Sequence, residues 1–318
     1  MSAPAFREGG PPVELSVVVP VYGCAGCLPH LCERLAQTLN DIHYELVLVD
    51  DRSPDGAWEV LVELAADHPI RGIRLSRNFG QHAAITAGLA EATGSWIVVM
   101  DCDLQDRPEE VPRLLEKARE GYDVVLARRR SRHHSGFRRW AARAYFRLLN
   151  ALMNARLEGD YGSFSILSRK VADAYLTLGD TSRHYLFILS WLGFEHASID
   201  VEQAKRHSGR SSYSLSRLLR HAVDGIVFQT TVLLQWIVYL GFAISLVGIA
   251  LAVALSSLAF FATPPPGWTS LAVLILLIGG FIIISTGIAG LYIGKIFDQV
   301  KGRPLYVIDR RLDDSPEQ

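Results

Sequence analysis

WIVVMDCDLQD, residues 96–106, is an apolar run that ends in two carboxylates one residue apart and then a carboxamide. Ile97 to Met100 have the composition of a strand buried on both faces, so Asp101, Asp103 and Gln105 fall just past its carboxyl end. Alternation sends the three the same way. Oxygen donors converging on one side suit a hard divalent cation, Mg²⁺ or Mn²⁺, of the kind that neutralises a diphosphate leaving group. A solvated turn after a strand is the plain alternative, and the triplet alone does not displace it. The segments on either side decide between them.

Upstream, LSVVVPVY (Leu15 to Tyr22) is a β-rich run stopped by Gly23, and Leu28, Leu31, Leu35 and Leu39 then recur at helical spacing. YELVLVDD (Tyr44 to Asp51) reads as a second buried strand ending in an acidic pair and the turn residues Ser53 to Gly56. A helix over 58–66, a third strand in IRGIRLS and the small-residue helix after Asn78–Gln81 lead to the strand before Asp101. This alternation predicts an α/β fold with a mostly parallel sheet covered on both faces, and with its chemistry at the carboxyl ends of the strands. Asp50, Asp51, Asp101 and Asp103 all fall on that edge. Four clustered carboxylates cost electrostatic energy unless a cation offsets them, which favours a functional reading, while Asp55 fits a capping role.

Downstream, an amphipathic helix and the turn at Gly121 precede a strand, 123–127, that runs into a basic stretch from Arg128 to Arg143. Arg129, at the strand end, is best placed to fork onto phosphate oxygens. The glycines of 159–176 predict a loop folding back toward the site, followed by a helix to Gly193 and a strand over 196–204. Lys205 to Ser214 lacks apolar periodicity and reads as a mobile loop, and residues 215–230 as an amphipathic helix lying on anionic lipid.

The chain has 318 residues, 49% of them hydrophobic, and 32 basic against 33 acidic side chains. The near balance argues against nucleic acid as a partner. Thr231 to Ile293 contain no charge at all, which predicts two membrane spans, 231–262 and 268–294, broken at TPPPGW. Basic residues precede and follow the pair but are absent between them, so both chain ends are expected in the cytoplasm of an inner-membrane, multi-pass protein. Residues 1–12 read as a disordered tail, 13–214 as the soluble domain and 295–318 as a cytoplasmic C-terminal tail. Cys24, Cys27, Cys32 and Cys102 lack a second C-x-x-C pair or a histidine at ligand spacing, so reduced thiols are expected.

Several segments together resemble glycosyltransferase family 2 enzymes of the polyprenyl-phosphate type, such as dolichyl-phosphate mannose synthases and the undecaprenyl-phosphate formamido-arabinose transferases. They are VVVPVY, LVLVDDRSPDG, LSRNFGQHAAITAGL, MDCDLQDRPEEVP, GYDVV with Arg129, FRR at Arg138, R-x-x-G-x-S from Arg206 to Ser211, and YIGKIFDQVKGRPLYVI. The resemblance implies a GT-A fold that binds a nucleotide-sugar and transfers its sugar to a lipid phosphate in the bilayer. A homo-oligomer is compatible with it. Carried over by position, Pro20, Tyr22 and Asp51 meet the base and Asp50 the nucleoside. Asp101, Asp103 and Gln105 hold the metal, and Arg129, Arg138, Arg206 and Ser211 meet phosphates. The family pattern continues Asn-Glu after VVPVY, where this chain has Gly23 and Cys24, and it has Ala where this chain has Cys102. The side chain of Cys102 is expected to point away from the metal.

The implied chemistry is inverting displacement by a phosphate oxygen that is already anionic, with the leaving diphosphate stabilised by metal and arginine. Asp103 is the first candidate catalytic residue, with Arg129 and Arg138 beside it. A processive polysaccharide synthase should carry Gln-x-x-Arg-Trp and further spans, and neither is present. A non-catalytic nucleotide-sugar or lipid-carrier binding protein would be favoured by loss of the metal ligands, and all three are intact.

Overall fold

The computed structural model describes residues 12–129, 161–180, 183–202, 237, 239–241, 243 and 267–312. Its first strands are those expected from the apolar runs: β1 (Leu15–Val21), β2 (Tyr44–Asp50), β3 (Ile70–Leu75) and β4 (Trp96–Val99). Between them lie α1 (Leu28–Thr38), α2 (Ala57–Leu64) and α3 (Gln81–Glu91). Then follow α4 (Val111–Arg119), β5 (Val124–Arg129), β6 (Tyr161–Ser168), α5 (Arg169–Thr177), α6 (Tyr185–Leu192), β7 (His196–Val201), α7 (Trp268–Val300) and β8 (Ile308–Arg311). The strands form one sheet in the order β7-β5-β6-β4-β1-β2-β3-β8. Pairings β1–β2, β1–β4, β2–β3 and β5–β7 are parallel, and β4–β6, β5–β6 and β3–β8 are antiparallel.

Period-two alternation along β1 divides its side chains between two cores. Val17, Val19 and Val21 join Leu28, Leu31 and Leu35 of α1 and Leu61 of α2 on one face. Val18 joins Val47, Val49 and the small residues Ala84 and Ala87 of α3 on the other. Pro29 sits in the first turn of α1, where its missing N–H removes no helical bond. The contact between α3 and the sheet is close enough to require glycine at Gly88, because a Cβ there would lie 2.3 Å from Val18 Cγ1.

Two expectations need correction. Residues 159–176 do not form a loop across their described part: β6 and α5 occupy 161–177, and β6 inserts between β4 and β5. Glycines suggested irregular backbone, but Phe164 and Ile166 enter one core and Leu167 the other, and that burial outweighs the entropy of Gly162. The C-terminal residues, expected as a tail, supply β8, which covers the edge of β3 with Ile73 opposite Arg311 and Leu75 opposite Ile308. Side chains reinforce this edge: Arg52 Nη1 lies 2.8 Å from Asp309 Oδ2, and Arg311 Nη2 lies 3.0 Å from Glu91 Oε1.

The contacts divide the chain into a sheet-containing unit, to which residues 304–318 belong, and a second unit built mainly from 213–303. In the second unit α7 runs 33 residues, and Ile278–Val300 is long and apolar enough to cross a membrane. It is the one such helix among the described residues. Most of the expected first span, and the whole of the expected interfacial helix and the loop from 205 to 214, lie outside the described residues.

Candidate functional site

The strand order reverses at β1, which has β2 on one side and β4 on the other, and in open α/β sheets ligands bind outside the carboxyl ends of the strands at such a point. Pro20 is buried in β1 opposite Val49, and Tyr22 emerges just beyond the strand with 53% of its surface exposed. The loop after β1 is anchored to the loop after β2. Gly23 N donates to Ser53 Oγ at 2.7 Å, Ser53 Oγ donates to Asp55 Oδ1, and Ala25 N donates to Asp55 Oδ2 at 2.8 Å. Asp55 therefore caps, as expected, but it caps the neighbouring loop. Burial pushes its carboxyl up, and the bonds from Ser53 and the amides outweigh that to leave it below the ordinary range.

Asp50 and Asp51 are both buried. Asp50 accepts from Ser53 N at 2.8 Å and lies 3.3 Å from Arg74 Nε, while Asp51 accepts from Phe79 N at 2.7 Å and Gly80 N at 2.8 Å. Burial raises both carboxyls, against the opposing pull of these donors. Gly80 adopts φ +95°, a conformation open to glycine, and so turns its N–H onto Asp51 at the entrance to α3. The four clustered carboxylates therefore do not by themselves require a cation. Arg74 and backbone amides already offset Asp50 and Asp51, and among the described residues no three His, Cys, Asp or Glu side chains form a metal-holding group.

Past β4 the backbone makes a turn rather than continuing as strand. Asp101, Asp103 and Gln105 are partly exposed, in alternation with the buried Cys102, Leu104 and Asp106. Leu104 has φ +61°, and Gln105 N donates to Asp103 Oδ1 at 3.1 Å, closing an Asx turn. The chain's other non-glycine residue of positive φ among those described, Arg52 at +57°, directly follows Asp51. A left-handed conformation costs about 1–2 kcal/mol at such positions, and both instances lie in loops at the carboxyl edge, after β2 and after β4.

Asp101 Oδ1 receives two bonds, from Gln81 Nε2 at 2.7 Å and from Ser163 Oγ at 2.8 Å. Gln81 opens α3 and Ser163 lies in β6, so the orientation of this carboxylate depends on two elements distant in sequence. Gln81 stands inside a quoted motif, whereas Ser163 was hidden by the loop reading of its strand. The donor set of Asp101, Asp103 and Gln105 is all oxygen with two carboxylates, which fits Mg²⁺ or Mn²⁺ and leaves room for diphosphate oxygens to complete the coordination. Arg129 ends β5 opposite Val201 of β7. Arg138, Arg206 and Ser211 lie outside the described residues.

The expectation of reduced thiols is overturned by a disulfide between Cys24 and Cys102, residues 78 apart in sequence with Cα atoms 6.5 Å apart. Cys102 does not simply point away from its neighbours Asp101 and Asp103; it fastens their turn to the loop after β1. Spacing rules search for pairs close in sequence, and this pair meets only because parallel β1 and β4 are neighbours. Both half-cystines stand where the resemblance implies other residues, so the two expected departures meet in one bridge.

The family model "Glycosyl transferase family 2" matches residues 16–176. The undecaprenyl-phosphate 4-deoxy-4-formamido-L-arabinose transferase of Proteus mirabilis is 36% identical over 93% of this chain and 93% of its own. An uncharacterized glycosyltransferase of Synechocystis is 33% identical over 93% of this chain and 95% of its own. Among solved structures, the glucosyl-3-phosphoglycerate synthase of Mycobacterium tuberculosis, crystallised with Mn²⁺ and UDP, has a TM-score of 0.47 at 20% identity, covering 69% of this chain and 80% of its own. That last likeness is too distant to transfer residue roles. The matched model runs from β1 through β6 and takes in the loops after β1, β2 and β4, and the relatives run nearly end to end, so this chain is an enzyme belonging to glycosyltransferase family 2.

Proposed function

We propose that the protein is a membrane-bound, inverting transferase that moves a sugar from a nucleotide-sugar, a UDP-sugar in the first instance, onto a polyprenyl phosphate for cell-envelope glycan modification. The observation that carries the proposal is the turn from Asp101 to Gln105 at the carboxyl edge of β4, beside the end of the paired strand β1. The resemblance to a transferase named for undecaprenyl phosphate supports the acceptor class. Tyr22 is exposed just past the end of β1, where its ring could stack on the base, and Pro20 lies within that strand. Asp50 and Asp51 shape the nucleoside side by holding Ser53, Phe79 and Gly80.

Asp101, Asp103 and Gln105 would hold Mg²⁺ or Mn²⁺, which when bound supplies positive charge to the departing diphosphate. Arg129, Arg138, Arg206 and Ser211 are assigned to the phosphates of donor and acceptor. A lipid-phosphate oxygen attacks the anomeric carbon, the bond from that carbon to the donor diphosphate breaks, and the configuration inverts. The attacking oxygen is already anionic, so no side chain has to remove a proton from it. The proposed topology has an interfacial helix over 215–230, spans at 231–262 and 268–294, and both termini in the cytoplasm, so that donor and lipid headgroup meet at the inner face of the membrane.

Asp103→Ala is the direct test. Transfer should fall by at least about 100-fold, with the thermal unfolding transition kept, since a methyl group cannot replace an oxygen ligand. Near-normal turnover by this variant would sink the metal assignment.

A further inference from the structure

The disulfide joins two residues of the core that α1 and α4 cover, and it does so at the turn that carries the proposed donor-site residues. Cys24 belongs to the loop after β1, fixed from below by Ser53 and Asp55, with Cys27 N bonded to Cys24 O at 2.9 Å in the following turn. Cys102 stands between Asp101 and Asp103 in a turn that contains the left-handed Leu104. One end of the bridge is thus anchored, and the other is the segment that carries the metal donors. Both sulfurs belong to nearly buried residues, Cys24 at 6% and Cys102 at 7% exposure. Cys32 is a bystander, because burial pushes its thiol up to about 11 and keeps it from acting as a thiolate.

We propose that Cys24–Cys102 is a redox modification site: oxidised, it clamps the 101–105 turn in the form that binds nucleoside diphosphate with metal; reduced, it releases the turn and weakens that binding. The proposal rests on the reading of this turn as the donor site. The reductant is a dithiol. One of its sulfurs attacks a bridge sulfur, the S–S bond breaks and a mixed disulfide forms. The reductant's second sulfur then displaces the remaining cysteine. Two electrons and two protons pass to Cys24 and Cys102, leaving two thiols here and a disulfide in the reductant. On the cytoplasmic side of a membrane, where thiols are held reduced, a disulfide acts as a sensor rather than a permanent staple.

Linkage makes the effect measurable from two directions. If the oxidised form binds nucleotide about 5-fold more tightly, bound nucleotide must resist reduction of the bridge by the same factor, about 20 mV for a two-electron couple. The full chain, in detergent micelles, is poised with oxidised and reduced dithiothreitol. Peptide mass mapping follows the Cys24–Cys102 bridge, calorimetry follows UDP, GDP and dTDP each with Mn²⁺, and hydrogen exchange follows residues 101–106. The clamp predicts a bridged peptide, at least about 5-fold weaker nucleotide binding after reduction, and faster exchange across the turn. Cys102→Ala should match the reduced protein and ignore dithiothreitol, while Cys27→Ser should stay sensitive.

Finding Cys24 and Cys102 as thiols under oxidising poise overturns the proposal. Equal affinity and equal exchange in the two redox states also overturn it. If no nucleotide binds in either state, the donor-site reading fails by itself, and exchange at 101–106 alone then decides the clamp: faster on reduction supports it, unchanged overturns it.

Discussion

Truncation of Asp51 to alanine is expected to destabilise the catalytic unit through the backbone it holds, whatever its contact with the nucleotide. Its carboxylate, 3% exposed, accepts from Phe79 N at 2.7 Å and Gly80 N at 2.8 Å. Bonds to a charged group contribute about 1.5–3 kcal/mol each, and two give about 3–6 kcal/mol. Against this stands the cost of burying the carboxylate, visible in its raised pKa, and water can reach the two half-exposed donors once the side chain is gone. The expected net loss is about 2–4 kcal/mol. Thermal and urea unfolding of the purified protein in micelles, followed by tryptophan fluorescence, would measure it. A loss below about 0.5 kcal/mol, the range of surface substitutions, would refute the reasoning.

The same carboxyl makes a signed pH prediction: because its folded pKa is raised, the pH-dependent part of its contribution is full below the unfolded value of about 3.9 and is lost as pH rises through the folded value, leaving the part that the two amide bonds supply. The stability gap between wild type and Asp51→Asn should therefore shrink from pH 3.5 to 7, and a widening gap would contradict the burial argument. Gln81→Ala removes a donor to Asp101 and should weaken apparent Mn²⁺ affinity by about 10–100-fold while leaving KM for the lipid acceptor in place, with Ser163→Ala acting in the same direction; a change confined to acceptor KM would remove both from the metal's support. Gly88→Ala places a Cβ against Val18 and should cost about 1–3 kcal/mol in unfolding experiments, relieved in part by adding Val18→Ala; full additivity of the two would argue against the clash.

Much of the fold was legible because its apolar segments are short and sharply bounded. The continuous runs that became β1 to β4 have strand length, β-branched composition and flanking turn residues, while Leu28, Leu31 and Leu35 of α1 recur at helical spacing. Asp101, Asp103 and Gln105 could be located because a strand ends just before them, although the turn they occupy, with Leu104 left-handed, was not legible. What escaped depended on contacts between distant segments. The Cys24–Cys102 bridge needs the β1–β4 pairing, and the support of Asp101 needs Ser163 from a strand inserted far along the chain. The docking of Ile308–Arg311 on β3 needs an edge that only the folded sheet presents. Asp50 and Asp51 have a role that an acidic pair at a strand end does not show in sequence: both carboxylates hold the loops around the site.

The measurement that bears most directly on the proposed activity is acceptor dependence. The purified protein, with Mn²⁺ and a panel of UDP-sugars, is incubated with undecaprenyl phosphate, with undecaprenol, or with neither, and the lipids are analysed by mass spectrometry. The account predicts a single phosphodiester-linked sugar on undecaprenyl phosphate, none on undecaprenol, and loss of the product in Asp103→Ala. Equal glycosylation of the alcohol, or polymer growth without a lipid phosphate, would contradict it.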